Sequence, residues 1–140
     1  MITASRYHDI CCGHRVAGHE SKCKYLHGHN YRIHFTIGSP ELDGLGRVLD
    51  FSVIKEKLCM WLENNYDHKT LIWEHDEMLS DLKRIAGESI VVVPFNPTAE
   101  NIAKHMCEVV AIEQLAGTGC VLVECVVEET SKCRATYKAI

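Results

Sequence analysis

The chain alternates, then turns helical, then alternates again. Ile33, Phe35 and Ile37 recur at every second position between polar neighbours, the spacing that lines one face of a β-strand. It predicts a strand from about Gly28 to Ile37, and the same face carries His27, His29 and Tyr31. A first strand is expected from Ile2 to about Cys12, with the polar stretch HRVAGHESKCKYLHGH between the two. An antiparallel hairpin would bring His14 close to His27 and His29. After the turn-rich GSPELDGLGR the period changes. Phe51, Ile54, Leu58, Trp61 and Leu62 form one stripe of a helix capped by Asp50 and ending near ENNYDH.

A short helix stopped by Gly87 is expected within EHDEMLSDLKRIAGES, ahead of the apolar IVVVPF. Thr98 can cap a further helix that carries Ile102, Met106, Val109 and Val110. The stretch GCVLVECVVEET then alternates like a strand, with Val121, Val123, Cys125 and Val127 on the apolar face, and CRATYKAI can pair with it. Strand, strand, helix, helix, strand, strand is an α+β order, read as a single domain over residues 1–140. Four strands leave two open edges, through which association is expected.

Composition narrows the class. With 140 residues, 46% hydrophobic and 24% charged, the chain can bury a core without staples. No apolar run approaches the roughly 18 residues of a membrane span. The opening MITASRYHDI reads as neither signal peptide nor anchor. Eight cysteines without a CxxC pair point to a reducing, cytoplasmic setting rather than a disulfide framework. The net charge of −4 opposes nucleic-acid binding, but through Phe35 five basic residues face two acidic ones. That local excess suits a small anionic ligand such as a phosphate ester, ordinary charge scatter being the alternative.

Several side chains carry candidate chemistry. His14, His27 and His29 have the makings of a three-histidine zinc site with an open fourth position, the alternative being hydrogen-bonded or exposed histidines. Cys23 lies between Lys22 and Lys24, and cationic neighbours favour a thiolate; otherwise it is an idle loop cysteine. Asp67 and His68 are adjacent, and a histidine with a carboxylate partner exchanges protons near neutral pH. Glu129 continues the apolar face of its strand. A carboxylate there needs a donor pair, such as the edge of an amino-oxo-pyrimidine, unless it has already turned to solvent.

The segments GHRV, CKYLHGHNY, GRVLDF, DHKTL, NPTAEN and EET, in this order, resemble the 6-pyruvoyl-tetrahydropterin synthase family. The three residues between Cys23 and HGH resemble its queuosine-pathway branch, the 6-carboxy-tetrahydropterin synthases. The resemblance implies the tunnelling fold, an antiparallel four-stranded sheet with two main helices on one face. It also implies a homohexamer, a dimer of trimers that closes β-barrels and places active sites between subunits. By the same resemblance His14, His27 and His29 hold Zn2+, and Cys23, Asp67 and His68 form the catalytic triad. Glu129 would anchor the pterin, and Thr98, Ala99 and Glu100 would border it. The implied substrate is 7,8-dihydroneopterin triphosphate, converted to 6-carboxy-5,6,7,8-tetrahydropterin, acetaldehyde and triphosphate. A synthase that keeps the pyruvoyl side chain and a non-catalytic zinc- or pterin-binding relative are the alternatives. The segment WEHDEMLSDLKRIAGESIVVVPF is longer than compact members carry, and its role is open.

Overall fold

A hairpin of two thirteen-residue strands organises the molecule. The computed structural model describes residues 1–139. In it β1 (Ile2–His14) and β2 (His27–Ser39) pair antiparallel, from Ile2 opposite Ser39 to His14 opposite His27. Alternation sets the faces: Ile10, Cys12 and His14 of β1 and Tyr31, Ile33, Phe35 and Ile37 of β2 are buried, whereas Cys11, Asn30 and Arg32 are exposed. The long alternating pattern fixes this register, because a one-residue slip would turn every core side chain to water.

The architecture is α+β, but the sheet has six strands rather than the expected four. Beyond β1 and β2, two short strands join it in parallel, β3 (Thr70–Trp73) beside β1 and β4 (Ile90–Val93) beside β3. The C-terminal hairpin, β5 (Val121–Thr130) and β6 (Cys133–Lys138), extends the other side, giving the order β4-β3-β1-β2-β5-β6. The four antiparallel strands expected from the sequence are therefore the β1-β2-β5-β6 part of a mixed sheet. Parallel neighbours require a crossover. Helix α2 (Leu79–Ala86) supplies it between β3 and β4, ending at Gly87, whose φ of +58° suits glycine. The long segment of open role thus supplies the crossover helix α2 and the strand β4 that completes the unit begun by β3.

Two longer helices, α1 (residues 51–65) and α3 (residues 99–114), share one core with the sheet. Their caps are those expected: Asp50 accepts from the Ser52 N–H at 2.8 Å, and Thr98 accepts from the Asn101 N–H at 3.1 Å. Each helix contains a five-residue π turn, Lys55–Cys59 and Met106–Val110. The wider turn rotates the buried stripe. Ile54, Leu58, Cys59 and Leu62 are buried in α1 while Phe51 is exposed; in α3 Met106, Cys107 and Val110 are buried while Val109 is exposed. Fully burying each large side chain contributes about 1.5–3 kcal/mol.

Strand β5 is irregular twice, at Glu129, between Glu128 and Thr130, against β6, and at Val123 against β2. Thr36 pairs with Glu124 but Ile37 pairs with Leu122, so Val123 is an extra residue in a bulge. Before it Leu122 faces the core and Val121 is exposed, opposite to the expected phase. After it Cys125 and Val127 are buried as the odd-numbered face requires, and Glu129 follows them.

Candidate active site

The loop end of the β1–β2 hairpin gathers three imidazoles. His14 and His27 are cross-strand partners, and His29 faces Cys12 one pleat further along. One nitrogen from each of the three rings lies within 4.8 Å of the others. The His14 and His27 Nε2 atoms are 3.0 Å apart. The opposite nitrogens are committed, His14 Nδ1 to the Pro97 carbonyl at 2.6 Å and His27 Nδ1 to the Tyr25 carbonyl at 2.7 Å. A carbonyl only accepts, so each Nδ1 carries the proton and each Nε2 presents a lone pair. Two lone pairs face each other at hydrogen-bond distance, an arrangement that a shared cation satisfies.

The third ring repeats the signature, since His29 Nε2 is buried without a hydrogen-bond partner. Burial lowers the His14 pKa against the opposing pull of the Pro97 carbonyl and Glu129. Burial also lowers that of His29, with Glu129 opposing and His27 reinforcing. The carbonyl contacts of His14 and His27 are the kind of outer partner that orients imidazole metal ligands. The three rings can hold a metal.

Glu129 reaches this cluster from β5, with Oε1 3.4 Å from His14 Nε2 and 3.6 Å from His29 Nε2. Tyr31 packs edge-on against the His14 and His29 rings, and its buried hydroxyl has no partner. Burial, with Glu129 close by, pushes the Tyr31 pKa up. Thr98, Ala99 and Glu100 open α3 directly after Pro97, the residue whose carbonyl fixes His14. Cys23 sits half-buried in a 3-10 turn, Lys22–Lys24, and its carbonyl accepts from the Val16 N–H at 2.9 Å.

Asp67 and His68 lie elsewhere. Their backbone docks on the free edge of β1, where His68 N–H donates to the Cys11 carbonyl at 2.7 Å and Asp67 Oδ1 accepts from the Cys11 N–H at 2.9 Å. Asp67 Oδ2 and His68 Nδ1 are 2.8 Å apart. Burial works against the Asp67 carboxylate, but the Cys11 N–H and the His68 ring outweigh it and hold its pKa below the usual range. His68 has φ of +60°, a backbone position that non-glycine residues rarely adopt, and its ring is exposed. The pair lines a depression with Cys11, Asn30 and Arg32 of the sheet and Glu63 from the end of α1. No hydrogen bond joins it to Cys23 among the described residues. One chain therefore assembles the histidine cluster with Glu129 but does not close the expected triad.

Residues 3–139 match the family model described as 6-pyruvoyl tetrahydropterin synthase. The chain belongs to that family. It is 39% identical over 107 residues to the 6-carboxy-5,6,7,8-tetrahydropterin synthase of Rickettsia felis, covering 76% of this chain and 78% of that one. Identity to the enzyme of the same name from Aquifex aeolicus is 35% over 125 residues, 84% of this chain and 76% of the relative. Among solved structures, an uncharacterized protein from Wolinella succinogenes superposes with a TM-score of 0.84 at 25% identity, over 99% of this chain and 98% of that one. The 6-pyruvoyl tetrahydropterin synthase of Caenorhabditis elegans gives 0.68 at 25% identity, over 99% and 96%.

Sequence reasoning missed the contacts that hold the loop between β1 and β2. Arg15, inside the GHRV segment, is buried against the carboxylate of Asp76. Asn96 holds Ala17 through both its amide groups. Hydrophobic periodicity carries no signal for such pairs, which are 61 and 79 residues apart.

Proposed function

We propose that the protein is a zinc-dependent carbon–carbon lyase acting on 7,8-dihydroneopterin triphosphate in 7-deazaguanine (queuosine) precursor biosynthesis. The products are 6-carboxy-5,6,7,8-tetrahydropterin, acetaldehyde and triphosphate. The observation that carries the reading is the convergence of His14, His27, His29 and Glu129 at one end of the hairpin. Relatives named 6-carboxy-5,6,7,8-tetrahydropterin synthase support the reaction.

The donor set fits zinc. Ring nitrogens sharing a tetrahedral zinc with bonds of about 2.0–2.1 Å stand about 3.4 Å apart, and the cluster spans 3.0 Å to at most 4.8 Å. His14, His27 and His29 would hold zinc and leave a fourth position, where the bound ion would acidify a coordinated hydroxyl toward a pKa of roughly 7. Cys23 and the Asp67–His68 pair move protons on the side chain of the substrate. Glu129 accepts the flat N–H pair of the pterin edge, and residues Thr98 to Glu100 border the ring. Loss of triphosphate leaves a dicarbonyl side chain. One water then cleaves the bond between its first and second carbons, leaving the first as a carboxylate and releasing the other two as acetaldehyde. Only Lys24, Tyr25 and Leu26 separate Cys23 from the ligand His27, a tether that keeps the thiol near the metal and favours the cleaving route.

Because no hydrogen bond joins Asp67–His68 to Cys23 among the described residues of one chain, we place the complete site between subunits of a hexamer built as a dimer of trimers. The exposed edges at β4 and β6 are its pairing surfaces. No helix of the described residues is long and apolar enough to cross a membrane. All eight cysteines are free thiols, which suits the reducing cytoplasm.

The deciding experiment couples the reaction to alcohol dehydrogenase and follows NADH consumption. One acetaldehyde per triphosphate released is the expected result. Triphosphate release without aldehyde selects the pyruvoyl product, and pterin binding without either selects a non-catalytic relative. A second expectation concerns Glu129→Ala, which loses a charge-assisted contact worth about 1.5–3 kcal/mol, or roughly 10- to 150-fold in pterin affinity. Unchanged affinity in a pterin titration removes Glu129 from the binding site.

A further inference from the structure

The strand–helix–strand unit formed by β3, α2 and β4 grips the loop that carries Cys23 at two points. At its start, Asp76 follows β3 in a turn closed by its own N–H on the Trp73 carbonyl at 2.9 Å. Its carboxylate accepts from the Arg15 guanidinium and, at 2.8 Å, from the Met78 N–H. At its end, beyond β4, Asn96 pairs with the backbone of Ala17, accepting at 3.0 Å and donating at 2.9 Å. Between these braces Arg15 Nε donates to the Lys24 carbonyl at 2.8 Å, and Val16 N–H donates to the Cys23 carbonyl at 2.9 Å. The Cys23 and Lys24 carbonyls of the turn are thus anchored to residues 16 and 15, and residue 15 is anchored to Asp76.

The ion pair is a poor choice for stability alone. Arg15 and Asp76 side chains are 11% and 0% exposed, and at such burial the desolvation cost rivals the attraction, so apolar residues of similar volume would stabilise the fold equally. A second cost is visible, because Asp76 Oδ2 is buried without a partner. What a guanidinium adds is a rigid planar fork that fixes a carboxylate and a carbonyl relative to each other. Here the fork ties the start of the inserted unit to the turn beside the thiol.

We propose that Asp76, acting through Arg15 and the Lys24 carbonyl, is a positioning residue that sets the Cys23 thiol against the metal-held substrate. The inserted unit is therefore a brace for the catalytic loop rather than a surface addition. The inference rests on the reading of Cys23 as the proton-transferring thiol. Proton transfer is sensitive to placement, an error of about 1 Å costing on the order of 100-fold in rate.

The test uses the zinc-loaded full chain as wild type, Asp76→Asn, the double variant Arg15→Met/Asp76→Leu, and Cys23→Ala. Asp76→Asn is expected to lower kcat about 10- to 100-fold with KM within about two-fold. Iodoacetamide labelling followed by peptide mass spectrometry should show Cys23 alkylated several-fold faster, with exposed Cys11 and Cys133 of the same molecules unchanged. The double variant removes both charges together, so it should match the wild type in thermal stability yet keep the low kcat and the fast Cys23 labelling. Wild-type kcat and labelling in Asp76→Asn, or recovery of both in the double variant, overturns the inference while Cys23→Ala remains inactive. Normal turnover by Cys23→Ala overturns the reading of the thiol, and this inference with it.

Discussion

Replacing Cys23 with alanine is expected to lower turnover by about 10²- to 10⁴-fold, the range that a positioned acid or base contributes. Zinc content and pterin affinity should stay near wild type. The separation follows from where the thiol sits. The ring nitrogens that converge come from β1 and β2, and Cys23 is outside that set. Its turn contributes carbonyls, not the thiol, to the hydrogen bonds that hold the loop. Truncating a half-buried side chain in a turn removes no large core group, so the fold should tolerate it. Stopped-flow release of triphosphate, metal analysis and pterin titration on the same preparation distinguish the outcomes. Loss of zinc along with turnover would make Cys23 a ligand, and undiminished turnover would remove it from the chemistry.

The hairpin and its histidines were legible because Ile33, Phe35 and Ile37 set one face of β2 and His27 and His29 continue it. Once that register is fixed, His14 must oppose His27. Glu129 was legible for a related reason, since the phase set by Cys125 and Val127 carries through to it. The same strand misleads nearer its start, because a bulge at Val123 resets the phase and no residue type announces it. The π turns act likewise in α1 and α3, moving Cys59 and Cys107 into the core and leaving Phe51 and Val109 in solvent. Strands β3 and β4 have four residues each, too short for a period to show. The sequence also brings Asp67 and His68 together without saying which side of the sheet they serve. That depends on the parallel pairing of β3 with β1 and on the left-handed backbone at His68. Asp76 and Arg15 meet only because β3 pairs in parallel with the end of β1 and carries the chain past His14.

The double variant His27→Ala/His29→Ala is expected to take zinc from about one ion per chain to background, with turnover lost alongside. These two positions are the informative ones because of burial. His14 is 1% exposed and packs against His27, His29 and Tyr31, so removing it opens a cavity as well as deleting a ligand. His29 is 19% exposed and His27 is half-buried, both at the loop end of the hairpin. Their truncation leaves the core residues Ile33, Phe35 and Ile37 untouched. The folded double variant then isolates the metal question. It also removes the lone-pair opposition between His14 and His27, so the metal-free form should be no less stable than metal-free wild type. Added zinc should raise the melting temperature of the wild type by binding linkage, about 2.7 kcal/mol at a hundredfold excess over Kd, and leave the double variant unmoved. Stoichiometric zinc in a folded double variant, or an equal thermal shift in both proteins, would place the metal away from the hairpin. The three converging nitrogens would then need another occupant.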